Sequence, residues 1–284
     1  MKTTNYILVL FISLFGNSVF AQSIPVKKNT TPLTIGETVE IHSTILNEDR
    51  ILNIYLPHGY SKDSVKEYPV IYLLDGTIDE DFIHIAGLVQ FGSFSWINML
   101  PETIVVGISN IDRKRDFTFH TDDKGYTKEF PTTGHSAPFI KFIENELQPF
   151  IKNNYTTNGT NTIIGQSLGG LLATEILFKK PDLFDNYIIV SPSLWWDNES
   201  LLEFTPVTYK TNKSIYVAVG KEGEIMEREA KALYEKLKPL NKKNAKVYYQ
   251  FFEKQHHADA LHLAVYDAFE KLFYKNLIFR IKKN

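Results

Sequence analysis

The 284-residue chain contains no cysteine. That absence removes disulfides, zinc–thiolate sites, iron–sulfur clusters and a catalytic thiol together. It also lacks an excess of either charge: 31 Lys and Arg stand against 33 Asp and Glu, for a net charge of −2. A nucleic-acid binder that works through bulk positive charge is thereby excluded. Internal repeats and low-complexity runs are missing, and past residue 22 no window is apolar enough to cross a bilayer. What remains is ordinary for a folded protein, with 43% hydrophobic and 23% charged residues. A chain of this length buries about three quarters of its unfolded surface and needs no covalent staples.

Residues 1–21 stand apart from the rest. Lys2 gives a short positive start, an apolar stretch runs from Tyr6 to Phe15, and Val19-Phe20-Ala21 supplies the small residues of a cleavage site. The segment reads as a signal peptide, with a single mature domain from residue 22 to 284 working in the periplasm or outside the cell. A retained membrane anchor is the alternative.

Eight stretches have strand character. Glu37–Leu46 and Arg50–Leu56 alternate apolar and polar residues, as half-exposed antiparallel strands at a sheet edge do. Pro69–Leu74, Thr103–Ser109, Thr162–Gly165, Tyr187–Ser191 and Ile215–Gly220 are continuous apolar runs, the mark of parallel strands covered on both faces. Lys246–Glu253 completes the set. Helical spacing falls between them, over Pro138–Asn153, Gly170–Lys179, Glu222–Leu237 and Asp259–Lys275. The alternation predicts an α/β fold of three layers around a mainly parallel sheet. Two long connections, 110–135 and 192–213, are candidates for function on their length alone.

Chemistry is concentrated at Gly165-Gln166-Ser167-Leu168-Gly169. Gly-x-Ser-x-Gly between a strand and a helix builds a sharp turn that lifts a serine hydroxyl out of the sheet, and small residues are needed two positions to either side. The helix start behind Ser167 favours developing negative charge. A serine nucleophile needs a histidine to take its proton and an acid to hold that histidine. His256, His257 and His262 follow Ser167 in the chain; His262 falls on the periodic part of the last helix, where packing explains it. His256 and His257 are equivalent on spacing. Glu222 is the first choice for the acid, with Glu224 the substitute and Asp197 an outsider; a glutamate in a first helical turn is the structural alternative. Two N–H donors for an oxyanion are expected from Leu168 and from the loop at Gly76 or Thr77.

Taken together, YLLDG at 72–76, IVVGISNIDRKRDFT at 104–118, IIGQSLGGLLA at 163–173, SPSLWW at 191–196 and HHADALHLAVYDAF at 256–269 resemble the putative-esterase family of α/β hydrolases. That family includes ferric-siderophore esterases, feruloyl and other carbohydrate esterases, S-formylglutathione hydrolases and mycolyltransferases. The resemblance implies an α/β-hydrolase fold with an eight-stranded sheet, and a secreted serine carboxylic-ester hydrolase of Ser-His-Glu type. No metal or organic cofactor goes with it. It selects His257, nine residues before Tyr266, favours Glu222 as the acid and Thr77 as the second donor. The partner implied is a small-molecule ester, siderophore lactone or carbohydrate ester; an acyltransferase of the mycolyltransferase type and a non-catalytic binding module are the alternatives. Arg113 and Arg115, beside Asp112 and Asp116, could meet an anionic substrate or could brace their loop. Trp195 and Trp196 could flank an aromatic acyl group or plug theirs.

Overall fold

The computed structural model describes residues 24–239 and 244–274. The segment 1–21 therefore lies outside the described residues. The chain divides into two units at Thr34. In the first, residues 24–34 form no helix or strand and expose Ile24, Val26 and Leu33. The second, from Ile35 onward, carries the regular structure.

Among the described residues eight strands form one sheet in the order β1-β2-β4-β3-β5-β6-β7-β8. They are β1 Gly36–Ser43, β2 Glu48–Tyr55, β3 Tyr68–Leu73, β4 Ile104–Ile108, β5 Thr157–Gln166, β6 Asn186–Val190, β7 Lys213–Gly220 and β8 Ala245–Phe252. β1 pairs β2, and β2 pairs β4, antiparallel; every later pairing is parallel. All eight expected strands are present. β5 begins five residues early, because Thr157 pairs with Tyr68 ahead of a register shift to the pair of Val70 with Asn161, which no apolar pattern announces.

The helices, in chain order, are α1 Phe82–Ser93, α2 Arg113–Phe117, α3 Lys124–Glu129, α4 Ser136–Phe142, α5 Gln148–Asn154, α6 Leu168–Lys179, α7 Ser200–Glu203, α8 Glu224–Leu237 and α9 Ala260–Phe269. α4 and α5 are the one helix expected over 138–153, joined by a π-helical stretch at Ile143–Leu147. Pro149, which has no N–H to continue the ladder, accounts for the interruption. α1 has no counterpart in the expected set. Its two glycines and β-branched residues are poor helix formers, and burial of Phe82, Ile85, Ala86 and Val89 is what holds it helical.

The sheet separates two apolar layers, as alternation along β3 requires. Val70 and Tyr72 join the layer of α4, α6 and α8; Ile71 and Leu73 join that of α1 and α9. No helix among the described residues is long and apolar enough to cross a membrane. The carboxyl ends of β3 to β8 all point to one crest, where an open α/β sheet places its ligands.

Candidate active site

Ser167 stands at the crest, one residue beyond β5, with φ 59° and ψ −121°. A backbone outside the favoured regions costs of the order of 1–3 kcal/mol and persists only where its surroundings impose it. Gly165 is one imposing part: a Cβ there would lie 2.3 Å from the Gly169 carbonyl oxygen. The partner position is less tight than the motif suggests, since a Cβ on Gly169 would meet Asp75 Oδ2 at 3.3 Å. The tight third position is Gly170, whose Cβ would come within 2.9 Å of Pro192 Cα. Ser167 N–H donates to Val190 O at 3.1 Å, which fastens the turn to the end of β6.

His257 and Glu222 meet. The imidazole Nδ1 lies 2.6 Å from Glu222 Oε2, while Oε1 accepts from Ser191 Oγ at 2.5 Å and from the Gly220 N–H at 2.9 Å. The Glu222 side chain is only 2% exposed. Burial pushes its carboxyl up, and the hydrogen bonds from His257, Ser191 and Gly220 outweigh that and hold it below the usual carboxylate range. α8 starts at Glu224, two residues later than expected, with Gly223 at φ 94° between. Glu222 is thus outside the helix and free to turn toward the histidine. The turn is capped instead by Glu227, which accepts from the N–H groups of Glu222 and Gly223, both at 3.0 Å.

The other candidates are engaged elsewhere. Glu224 is exposed at the start of α8. Asp197 accepts from Thr121 Oγ1 at 2.5 Å and Ser200 Oγ at 2.6 Å. His256 places Nδ1 2.9 Å from Lys221 O, and its N–H donates to Asp259. His262 stacks on His84 of α1 at 4.4 Å, the packing role expected of it.

Ser167 and His257 line one cavity of about 420 Å³ with Asp75, Glu80, Asp81 and Arg113. Ser167 Oγ has Ser193 Oγ as its hydrogen-bond partner, at 3.2 Å. Of the donors proposed for an oxyanion, Gly76 is taken, because its N–H donates to Ile108 O at 3.0 Å. A Cβ on Gly76 would lie 2.3 Å from Gly107 Cα, so the Asp-Gly pair is there to let this turn approach β4. Thr77 follows it, and the Leu168 N–H is one of the unpaired donors of a helix start.

Three residues in this region had no role in the sequence reading. Gln166 donates from Nε2 to His257 O at 2.5 Å, tying the loop of His257 to the turn at Ser167. Ser191 and Ser193 contact Glu222 and Ser167 respectively. Serines after a strand carry no periodic signal; only the motif SPSLWW marked the place.

The arginines and tryptophans divide. Arg113 forms a bidentate pair with Asp75, Nε to Oδ1 at 2.6 Å and Nη2 to Oδ2 at 2.9 Å, and reaches Gln166 O at 3.2 Å. Arg115 is a loop brace, bonded to Glu48 and Asp116, where buried Arg50 joins the same network. Trp196 is 1% exposed and donates to Phe119 O at 2.9 Å, so it is the plug of its loop and not a pocket wall. Trp195 is half-buried against Tyr126. With Arg113 paired, the wall adds the carboxyls of Glu80 and Asp81; burial, then Asp75 and Glu80, push Asp81 up to about 6.

Comparison with known proteins agrees with this architecture. The family model described as "Putative esterase" matches residues 43–279. Ferri-bacillibactin esterase BesA of Bacillus subtilis is 31% identical over 247 residues, covering 77% of this chain and 83% of its own length. An IroE-like serine hydrolase from Shewanella oneidensis superposes with a TM-score of 0.74 at 32% identity, covering 84% of this chain and 80% of that one. The BES protein from Bacillus cereus gives 0.75 at 29% identity, over 88% and 99%.

Proposed function

Because the chain belongs to the "Putative esterase" family of α/β hydrolases, we propose that it is a secreted serine carboxylic-ester hydrolase working through an acyl-enzyme. The observation that carries the reading is the 2.6 Å contact between Glu222 and His257, with His257 facing Ser167 across one cavity. Ser167 Oγ attacks the ester carbonyl carbon and gives its proton to His257 Nε2. The tetrahedral oxyanion accepts from the Leu168 and Thr77 N–H groups. Collapse breaks the ester C–O bond, and the departing alkoxide takes the proton back from His257. Water, deprotonated by His257, then attacks the acyl carbon; the bond to Ser167 Oγ breaks, His257 returns the proton to that oxygen, and the acid is freed. Glu222 receives Nδ1–H throughout and stabilises the imidazolium. Residues 1–21 direct export, and residues 22–284 form the mature protein.

For substrate, the relative acting on ferri-bacillibactin favours an ester bond within a siderophore. Arg113 at the cavity wall is the candidate substrate contact, whereas Trp195 packs against Tyr126 and is not among the residues lining that cavity. The test is a turnover screen of residues 22–284 on ferric and metal-free siderophore lactones, feruloyl and acetylated sugars, and short p-nitrophenyl esters. Preference for the lactones by kcat/KM is expected. Preference for the sugar esters would move the substrate to the carbohydrate class, and no turnover of any ester would overturn the hydrolase reading.

A further inference from the structure

Two buried serines flank Pro192 just past β6, and the three-residue triad accounts for neither. Ser191 is fully buried and holds φ at 45°. For a residue other than glycine that backbone is strained, so something must impose it. The neighbours that do so are identifiable. Ser191 N–H donates to Ala218 O of β7 at 2.7 Å, and Ser193 N–H donates to Ser167 O at 3.0 Å. Pro192 fills the space beside Gly170. The turn is therefore gripped between the end of β7 on one side and the nucleophile elbow on the other.

The consequence of this grip is the direction of the Ser191 hydroxyl. It donates to Glu222 Oε1 at 2.5 Å, on the oxygen that also receives the Gly220 N–H at 2.9 Å. With Oε1 held by two donors, the carboxylate plane is fixed and Oε2 is left facing His257 Nδ1 at 2.6 Å. A glutamate has one more rotatable bond than an aspartate, so it needs such a restraint more. We propose that Ser191 is the positioning residue of the triad: its hydroxyl locks Glu222 in the rotamer that presents Oε2 to His257 and keeps that carboxylate ionised while the imidazole carries its second proton. This rests on the hydrolase reading above, and it extends the constellation by a residue that never touches substrate.

Deleting the hydroxyl has a directional consequence. A buried carboxylate that loses a donor holds its proton more tightly, so Glu222 titrates at higher pH. The experiment uses Ser191→Ala in the full chain, with Ser193→Ala as the comparison, since Ser193 touches Ser167 and not Glu222. Two readouts are taken: the pH profile of kcat/KM on p-nitrophenyl acetate, and the ¹³C-carboxyl titration of Glu222 by NMR. Ser191→Ala should lower kcat about tenfold with little change in KM, and move the acid limb and the Glu222 titration up by about half a pH unit or more. Ser193→Ala should leave the Glu222 titration where the parent has it. Ser191→Gly, which removes the hydroxyl and relaxes the backbone, carries the same expectations and guards against a misfolded alanine variant. An unchanged Glu222 titration in either folded Ser191 variant overturns the proposal. Should the parent turn over no ester, the hydrolase reading fails on its own, and the carboxyl titration still decides Ser191 because it needs no substrate.

Discussion

The crest of the sheet and the two long connections beside it follow different rules. At the crest, backbone contacts choose the residues. Gly165 is pressed against the Gly169 carbonyl, Gly76 against Gly107, and Gly170 against Pro192, at separations that no side chain could share. In the connections, contacts are made by side chains reaching a partner: Arg115 pairs with Glu48 and Asp116, Trp196 donates to the Phe119 carbonyl, and Glu199 pairs with Arg228 of α8. A steric constraint names a residue type, whereas a pairing constraint accepts any partner that arrives. The crest is therefore the part whose residue types can be named from local sequence, and the connections are the part that must be seen.

That contrast can be broken by experiment, beginning with the largest effect. Ser167→Ala should cut kcat/KM by about 10⁴-fold or more while leaving the urea midpoint within experimental error, since alanine occupies the same strained position. Substantial remaining turnover would place the nucleophile elsewhere. Trp196→Ala should do the reverse. Emptying a buried indole site costs about 3–5 kcal/mol in urea unfolding, with kcat per folded molecule retained. A folded, equally stable variant with a raised KM for aromatic esters would make Trp196 a pocket wall and erase the distinction.

The smallest effect sharpens the comparison by pH. Glu229 on α8 is fully buried, and the charged partner of its carboxyl is Arg228, whose Nη2 is 3.6 Å away. Burial and the Glu199 carboxylate, partly offset by Arg228, push it up to about 7. A raised carboxyl is protonated in the fold where the unfolded chain has lost its proton. Its stabilising share is whole below the unfolded value near 4.5 and is lost as pH rises through about 7. Glu229→Gln should therefore gain roughly 2–3 kcal/mol on the parent between pH 5 and pH 8. Parallel stability curves for the two proteins would remove Glu229 as the cause. Glu222 has the opposite sign: its share is present above the unfolded value and disappears as pH falls through its depressed one.

Legibility in the sequence followed the same division. The strand runs and the strained turn at Ser167 could be read because each rests on local pattern: apolar runs or alternation for the strands, a glycine spacing for the turn. Helix α1 could not, since its residues are poor helix formers and tertiary burial overrides propensity there. Trp195 and Trp196 are adjacent and chemically alike, yet one is half-buried and the other 1% exposed. Only the wrapping of residues 119–126 around that loop separates them.

The amino-acid sequence by itself determined the α/β alternation, the identity of Ser167 as the residue at the strained turn, and the set of acids and histidines that could serve it. Those properties depend on near neighbours along the chain. Tertiary structure alone decided that Glu222 lies outside its helix and reaches His257, that Ser191 bonds Glu222 and Gln166 the loop of His257, and that Arg113 and Arg115 find carboxylates. Each of these joins residues that the sheet brings together: its parallel pairings set the ends of β3 to β8 side by side, and the antiparallel β2–β4 pairing brings Glu48 to Arg115.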